Sequence, residues 1–199
     1  TRLLVSGEES HMQVWDIQKG TLFAKWPSGF GKTVGALFLN GGEQILSLNF
    51  STLPTSSATA LLTDTVSGEA RVLQQELAVS GGAIPIRFVT SRAHNLYATV
   101  FDTAVPVQGG ELPFHTSTLF LYNMESGEAI ADFQFTGIVR SVLFSPDGQK
   151  LAASSEDGRV FIWDTQSTKK AFPPLHLSGR VNDLSFSADS RFLVTANAA

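Results

Sequence analysis

Short apolar runs separated by clusters of Gly, Ser, Asn and Asp recur along the chain. Ile138–Phe144, Leu151–Ser154, Arg159–Trp163, Val181–Phe186 and Phe192–Thr195 are clear examples. Runs of about four to eight residues rich in Val, Ile, Leu, Phe and Thr, bounded by turn residues, predict β-strands. Val142-Leu143-Phe144 is apolar at successive positions, which predicts a strand covered on both faces. Nowhere does a run carry the polar face of a long helix. The pattern predicts an all-β fold with no helix longer than two turns.

The runs repeat. Phe144-Ser145-Pro146-Asp147-Gly148-Gln149-Lys150-Leu151 aligns with Phe186–Leu193, with Phe38–Ile45 and, more loosely, with Val89–Leu96. A second element recurs in phase: Val14-Trp15-Asp16, Ile162-Trp163-Asp164, Leu121-Tyr122-Asn123 and Leu62-Thr63-Asp64. A period of roughly 40–45 residues with extra residues in loops marks a repeat architecture. Each unit predicts four strands. In the best copy these are Val139–Phe144, Lys150–Ser154, Arg159–Trp163 and a fourth near Lys169–Leu175. Pro146-Asp147-Gly148 and Glu156-Asp157-Gly158 supply the two tight turns, and Asp16…Gly20 and Asn123…Gly127 serve the third.

The copies differ in one interval. Phe144 to Trp163, Phe38 to Thr63 and Val89 to Tyr122 are 19, 25 and 33 residues apart. The surplus falls between second and third strands, at Ser51–Ser57 and Asp102–His115. Both stretches hold Pro with Gly or Ser and are expected to be surface loops.

This pattern resembles the WD40-repeat β-propeller family. Phe144-Ser145-Pro146-Asp147-Gly148, then Ser154-Ser155-Glu156-Asp157-Gly158, then Trp163-Asp164 form a good family unit, and Val14-Trp15-Asp16 closes another. The match is strongest over residues 138–196 and 1–26 and weakest over 83–135. The resemblance implies propeller blades of four antiparallel strands in an incomplete ring. It divides the chain into a partial blade 1–26, blades at about 27–77, 78–135 and 136–175, and a partial blade 176–199. These predict about 17 strands, or four to five repeats of a larger propeller. The family's His–Ser/Thr–Trp–Asp network cannot be complete in most units. Phe30 and Phe135 stand where its His would be, and only His176 falls near. Apolar packing by the fifteen Phe is expected to take its place. Trp15, Asp16, Asp157, Trp163 and Asp164 are expected to be structural, with both tryptophans buried between neighbouring blades.

Composition narrows the chemistry. The 199 residues include 14 basic and 18 acidic ones, for a net charge of −4, so no basic excess favours nucleic acid. Cysteine is absent, which removes disulfides, thiolate zinc ligands and a thiol nucleophile. No apolar run approaches the roughly 20 residues of a helical membrane span. His11, His94, His115 and His176 lie scattered and are expected to be turn or surface residues, and no metal or cofactor is expected. Gly29-Phe30-Gly31-Lys32-Thr33 only hints at a phosphate loop and reads better as a link between units. Asn49-Phe50-Ser51 matches the N-glycosylation pattern by its three residues alone. No motif such as Gly-x-Ser-x-Gly signals catalysis.

The functional expectation is a non-catalytic scaffold that binds proteins or peptides. The alternative is a sensor or enzymatic propeller, such as the sensor half of a bacterial multidomain protein or a quinoprotein-like enzyme. Glu8, Phe30, Lys32, Arg140, Glu156 and Arg180 are the candidate contact residues. The resemblance places Glu8 and Glu156 before the turn carboxylates Glu9 and Asp157, where the family often faces its partners. It places Arg140, Asn182, Gly35 and Ile86 at the mouth of the central channel. Arg140 interrupts an apolar run, which is costly unless the guanidinium reaches solvent or an anion. Arg140 and Arg180 are expected to lie near each other and near Glu156.

Overall fold

The computed structural model describes residues 2–6, 11–27, 31–51, 57–78, 83–91, 93–105 and 114–198. Among these the regular structure is β-strand, with one short 3-10 turn at Asn40–Gly42. The first sheet has three strands in the order β1 (Arg2–Ser6), β2 (His11–Asp16), β3 (Thr21–Pro27). The second has four, β4 (Lys32–Leu39), β5 (Gln44–Ser51), β6 (Ser57–Asp64) and β7 (Ala70–Ala78). The third is β8 (Ile84–Ser91), β9 (Leu96–Val105), β10 (Phe114–Asn123) and β11 (Ala129–Thr136). The fourth is β12 (Val139–Phe144), β13 (Lys150–Ser155), β14 (Arg159–Asp164) and β15 (Leu175–His176). The last pairs β16 (Val181–Phe186) with β17 (Leu193–Asn197). Every neighbour follows its predecessor in the chain, so each sheet is an antiparallel meander. The chain divides into two compact units, Thr1–Phe88 and Val89–Ala199.

The turns recur with the sequence motifs. In the turn from β12 to β13, Ser145 Oγ donates to Asp147 at 2.6 Å and accepts from Lys150 N–H at 2.9 Å. Ser187 repeats both bonds, to Asp189 at 2.6 Å and from Phe192 N–H at 3.0 Å. Gly148 closes the first of these turns at φ 72°, where a Cβ would meet the Ser91 hydroxyl at 2.4 Å. The turns after the third strand are Asx turns. Asp16, Asp64, Asn123 and Asp164 each accept the backbone N–H three residues on, at 3.1, 2.7, 2.9 and 2.7 Å. These bonds hold the carboxyls of Asp16 and Asp64 below the usual carboxylate range, and at Asp164 the Ser167 hydroxyl does so ahead of its N–H. Asp147 and Asp189 are held low chiefly by the Ser145 and Ser187 hydroxyls.

Packing between sheets carries the core of each unit. In the first, Met12, Val14 and Ile45 are buried, with Leu4, Trp26, Ala36 and Phe38 packed against them. In the second, Trp163 on β14 is 3% exposed and meets Phe133 and Phe135 of β11 at 4.4 and 5.9 Å. Ala152, Val160, Ile162, Val181 and Leu184 form the next cluster between β12–β15 and β16–β17. Tyr122, at the Trp163 position of its own sheet, is buried and stacks on its cross-strand neighbour Tyr97 at 4.8 Å. Burial raises both phenol pKa values.

The structure corrects three expectations. The surplus residues are not simply loops: Asp102–Val105 and Phe114–His115 are paired strand that lengthens β9 and β10 to ten residues each. In the compact sheet the corresponding strands, β13 and β14, have six each. The predicted fourth strand near Lys169–Leu175 shrinks to Leu175–His176 and an isolated bridge from Lys170 to Trp163. Pro173 and Pro174 have no N–H to give β14, so the ladder breaks there. Trp15 is only half-buried, with its indole N–H donated to Gln13 at 3.1 Å. Asn49 is fully buried and bonded to Thr33 and Ser47, so its side chain is inaccessible for glycosylation in the folded chain.

Candidate interaction site

Arg140 owes its position to a β-bulge. Val139 pairs with Ser155 and Ser141 with Ser154, so Arg140 is the extra residue between them. A bulge re-aims the side chain it carries. The same irregularity recurs between Val181 and Asp183 and between Thr33 and Gly35. The counterparts of Arg140 are therefore Asn182 and Val34. Gly35, read from the sequence as the equivalent, is one residue past it.

The bulge meets the β13–β14 turn. Arg140 Nη2 donates to Glu156 Oε2 at 2.9 Å, and both side chains are 34% exposed. The Glu156 N–H donates to the Ile138 carbonyl at 2.9 Å, and Ile138 N–H returns a long bond to Glu156 Oε1 at 3.4 Å. The ion pair thus sits on a backbone already stitched together. At that exposure it contributes about 0–1 kcal/mol, so its effect is orientation more than stability. Next in the turn, Asp157 accepts from Ser155 Oγ, and from Arg159 Nε at 2.6 Å. Partial burial opposes ionisation of this carboxyl, but the Arg159 guanidinium and Ser155 hydroxyl prevail and hold it below its usual value. Arg159 also reaches Thr136 at 2.7 Å, tying the turn to the end of β11.

Of the six candidate contact residues, Glu8 and Phe30 lie outside the described residues. Lys32 is exposed at the start of β4. Arg140 and Glu156 are brought together as anticipated. Arg180 is exposed just before β16, and its Nε donates to Asn182 at 3.0 Å. Asp183 of β16 takes a 3.0 Å bond from Ser141 of β12, so the two strand starts are linked through their neighbours.

Three residues at this rim escaped sequence reasoning. His115 Nδ1 lies 2.9 Å from Asp102 Oδ2, and Ser117 Oγ donates to Asp102 Oδ1 at 3.3 Å. Ser117 Oγ in turn accepts the buried Val139 N–H at 3.0 Å, and the His115 carbonyl accepts Gly137 N–H at 2.8 Å. The lengthened β9–β10 hairpin thereby grips the link that leads into Arg140. The available signal was an Asp and a His at the two ends of the longest insertion. It points to a cross-strand pair only once both ends are known to be strand. Among the described residues no group of three or more His, Asp or Glu could hold a metal ion.

Comparison with known proteins agrees with this architecture. The WD40 family, described as "WD domain, G-beta repeat", matches residues 129–164 and 170–198. The chain carries WD40 repeats over these residues. The mouse serine-threonine kinase receptor-associated protein is 27% identical over 187 residues, covering 82% of this chain and 51% of that protein. The human U5 small nuclear ribonucleoprotein 40 kDa protein is 35% identical over 54 residues, 27% of this chain and 15% of its own length. Meiotic fizzy-related protein 1 of Schizosaccharomyces pombe is 38% identical over 55 residues, 27% of this chain and 13% of its own. The chain thus spans about half the length of the receptor-associated protein. Both matched WD40 segments lie in the second unit, where the Ser-Pro-Asp-Gly turn, the Asp157 network and Trp163 all occur. No helix among the described residues is long and apolar enough to cross a membrane.

Proposed function

We propose that this chain is a non-catalytic interaction scaffold of the WD40 type that presents its sheet-edge turns to a protein or peptide partner. The observation that carries the reading is the Arg140–Glu156 pair. It is half-exposed, set by a bulge, and fixed by backbone bonds on both sides. A cation held in one orientation loses little conformational entropy when a partner engages it. Arg is also enriched among interface anchors. Arg180 extends the same rim at the start of β16, and Lys32 is the exposed charge at the corresponding place in the first unit. Relatives whose names describe association with a receptor kinase or membership of a ribonucleoprotein support a role in assembly. Specificity on such a rim comes from which turns carry charge, while the sheets supply a rigid frame.

The test is co-purification of a partner with the full chain, followed by charge reversal. Arg140→Glu together with Glu156→Arg keeps the pair but reverses its field, and partner capture should fall at least tenfold with the melting temperature unchanged. Retained capture in that variant, with capture lost on changing Asp147 or Asn40 at the opposite turns, would place the contact on the other edge.

A further inference from the structure

The turn after β14 breaks a rule that its three counterparts keep. Four residues after Asp16, Asp64 and Asn123 stand Gly20, Gly68 and Gly127, at φ 65°, 75° and 77°. Four residues after Asp164 stands Thr168, at φ 58°. Left-handed backbone crowds a Cβ, and a β-branched residue there is strained. Strain of this kind concentrates where a side chain is needed for its chemistry. The charge beside it also changes. Glu69 and Glu128 follow the glycines of the second and third turns, whereas Lys169 and Lys170, both exposed, follow Thr168.

The surroundings make the segment easy to lift. Beyond Thr168 the edge is held by the Lys170 bridge, whose two bonds run from Asp164 N–H to the Lys169 carbonyl at 2.9 Å and from Ala171 N–H to the Ile162 carbonyl at 2.8 Å, and by the two-residue β15. So few ladder bonds mean a low cost of local opening. The Thr168 hydroxyl donates only locally, to the Ser167 carbonyl at 2.7 Å in an exposed setting. The neighbouring Ser167 hydroxyl is held by the Asp164 carboxylate at 2.7 Å, where added negative charge would be repelled.

From the strained threonine, the lysine pair and the weak edge, we infer that Thr168 is a phosphoacceptor for a serine/threonine kinase that selects basic residues after the acceptor. Thr168 Oγ1 attacks the γ-phosphorus of ATP. The new O–P bond forms as the bond to the β-phosphate oxygen breaks, ADP leaves, and the hydroxyl proton passes to the kinase's catalytic base. Lys169 and Lys170 then neutralise the phosphate through charge-assisted hydrogen bonds.

The experiment incubates the full chain with ATP, Mg2+ and a purified basophilic kinase domain, with an acidophilic kinase domain in parallel, and maps phosphate by mass spectrometry. Phosphate is expected on Thr168 with the basophilic kinase, and reversal of both lysines (K169E with K170E) should cut its incorporation at least tenfold. Thr168→Gly should remove the site and raise the melting temperature, since it relieves the strain without unfolding the turn. No phosphate, phosphate on Ser167 alone, or incorporation indifferent to the lysines would overturn the assignment. A lower melting temperature for the Gly variant would overturn its premise of strain.

Discussion

Between β11 and β14 the joint of two sheets is aromatic on both sides. Trp163 meets Phe133 at 4.4 Å and Phe161 at 5.7 Å, and Phe135 closes edge-on to Phe161 at 5.2 Å. The corresponding joint in the first unit reverses the sizes. Thr63 takes the Trp163 position, and Trp26 stands where Phe133 stands: Trp26 pairs with Met12, three residues before Trp15, as Phe133 pairs with Leu119, three before Tyr122. Trp26 packs on Met12, Val14 and Ile45, and its indole lies where a Cβ on Gly68 would be, at 2.2 Å. One joint puts its largest ring on the third strand, the other on the outer strand of the preceding sheet. What is specified is the volume between sheets and not the residue at one place. That explains how a repeat loses its tryptophan without losing its joint.

Four measurements would break or sharpen this contrast. Trp163→Ala should cost about 3–5 kcal/mol in denaturant unfolding, whereas half-buried Trp15→Ala should cost about 1–2 kcal/mol. Equal losses would mean that the two tryptophans share one role after all. Gly68→Ala and Gly20→Ala both carry the left-handed backbone penalty of about 1–2 kcal/mol. Only Gly68→Ala also displaces Trp26, since nothing among the described residues lies within 4 Å of a Cβ at Gly20. The Gly68 variant should therefore be the less stable of the two and show shifted indole fluorescence. Thr63→Val should raise stability by about 1 kcal/mol, because the buried Thr63 hydroxyl has no hydrogen-bond partner among the described residues. A destabilised Val variant would show that the hydroxyl is satisfied.

The smallest effect is electrostatic. Asp16 and Asp64 in the first unit, and Asp147, Asp157, Asp164 and Asp189 in the second, have carboxyls held below the usual value. A depressed folded pKa contributes stability that is present above the unfolded value of about 3.9 and is lost as pH falls through the folded one. Stability measured from pH 5 downward should decline, with the second unit declining more. Asp147→Asn should flatten part of that slope, and an unchanged slope would assign the loss elsewhere.

The strands and their turns were legible because they are written in local chemistry. Ser145…Asp147 and Ser187…Asp189 carry their own hydrogen bonds, and Asp164 needs only its next few residues to form a turn. The aspartates at 16, 147, 157 and 164 could therefore be assigned from sequence phase. So could the approach of Arg140 to Glu156, because both flank the same hairpin. Trp26 was not legible, since nothing near it in the chain says that Thr63 leaves room. Neither was the Asp102–His115–Ser117 grip, because its partners sit on two strands whose lengths the sequence did not reveal. Glu8 and Phe30, chosen by the same phasing, fall outside the described residues.

By itself, then, the sequence determined a repeated antiparallel meander, the residues that turn it and the places where its period is stretched. These depend on neighbours within a few residues, where hydrogen-bond geometry leaves few choices. Tertiary structure alone decided which side of each joint supplies the ring, that the longest insertion would extend a hairpin, and that Pro173-Pro174 would leave β14 with a broken edge. Those outcomes follow from filling the space between sheets and satisfying every buried N–H, and both conditions are set by residues far apart in the chain.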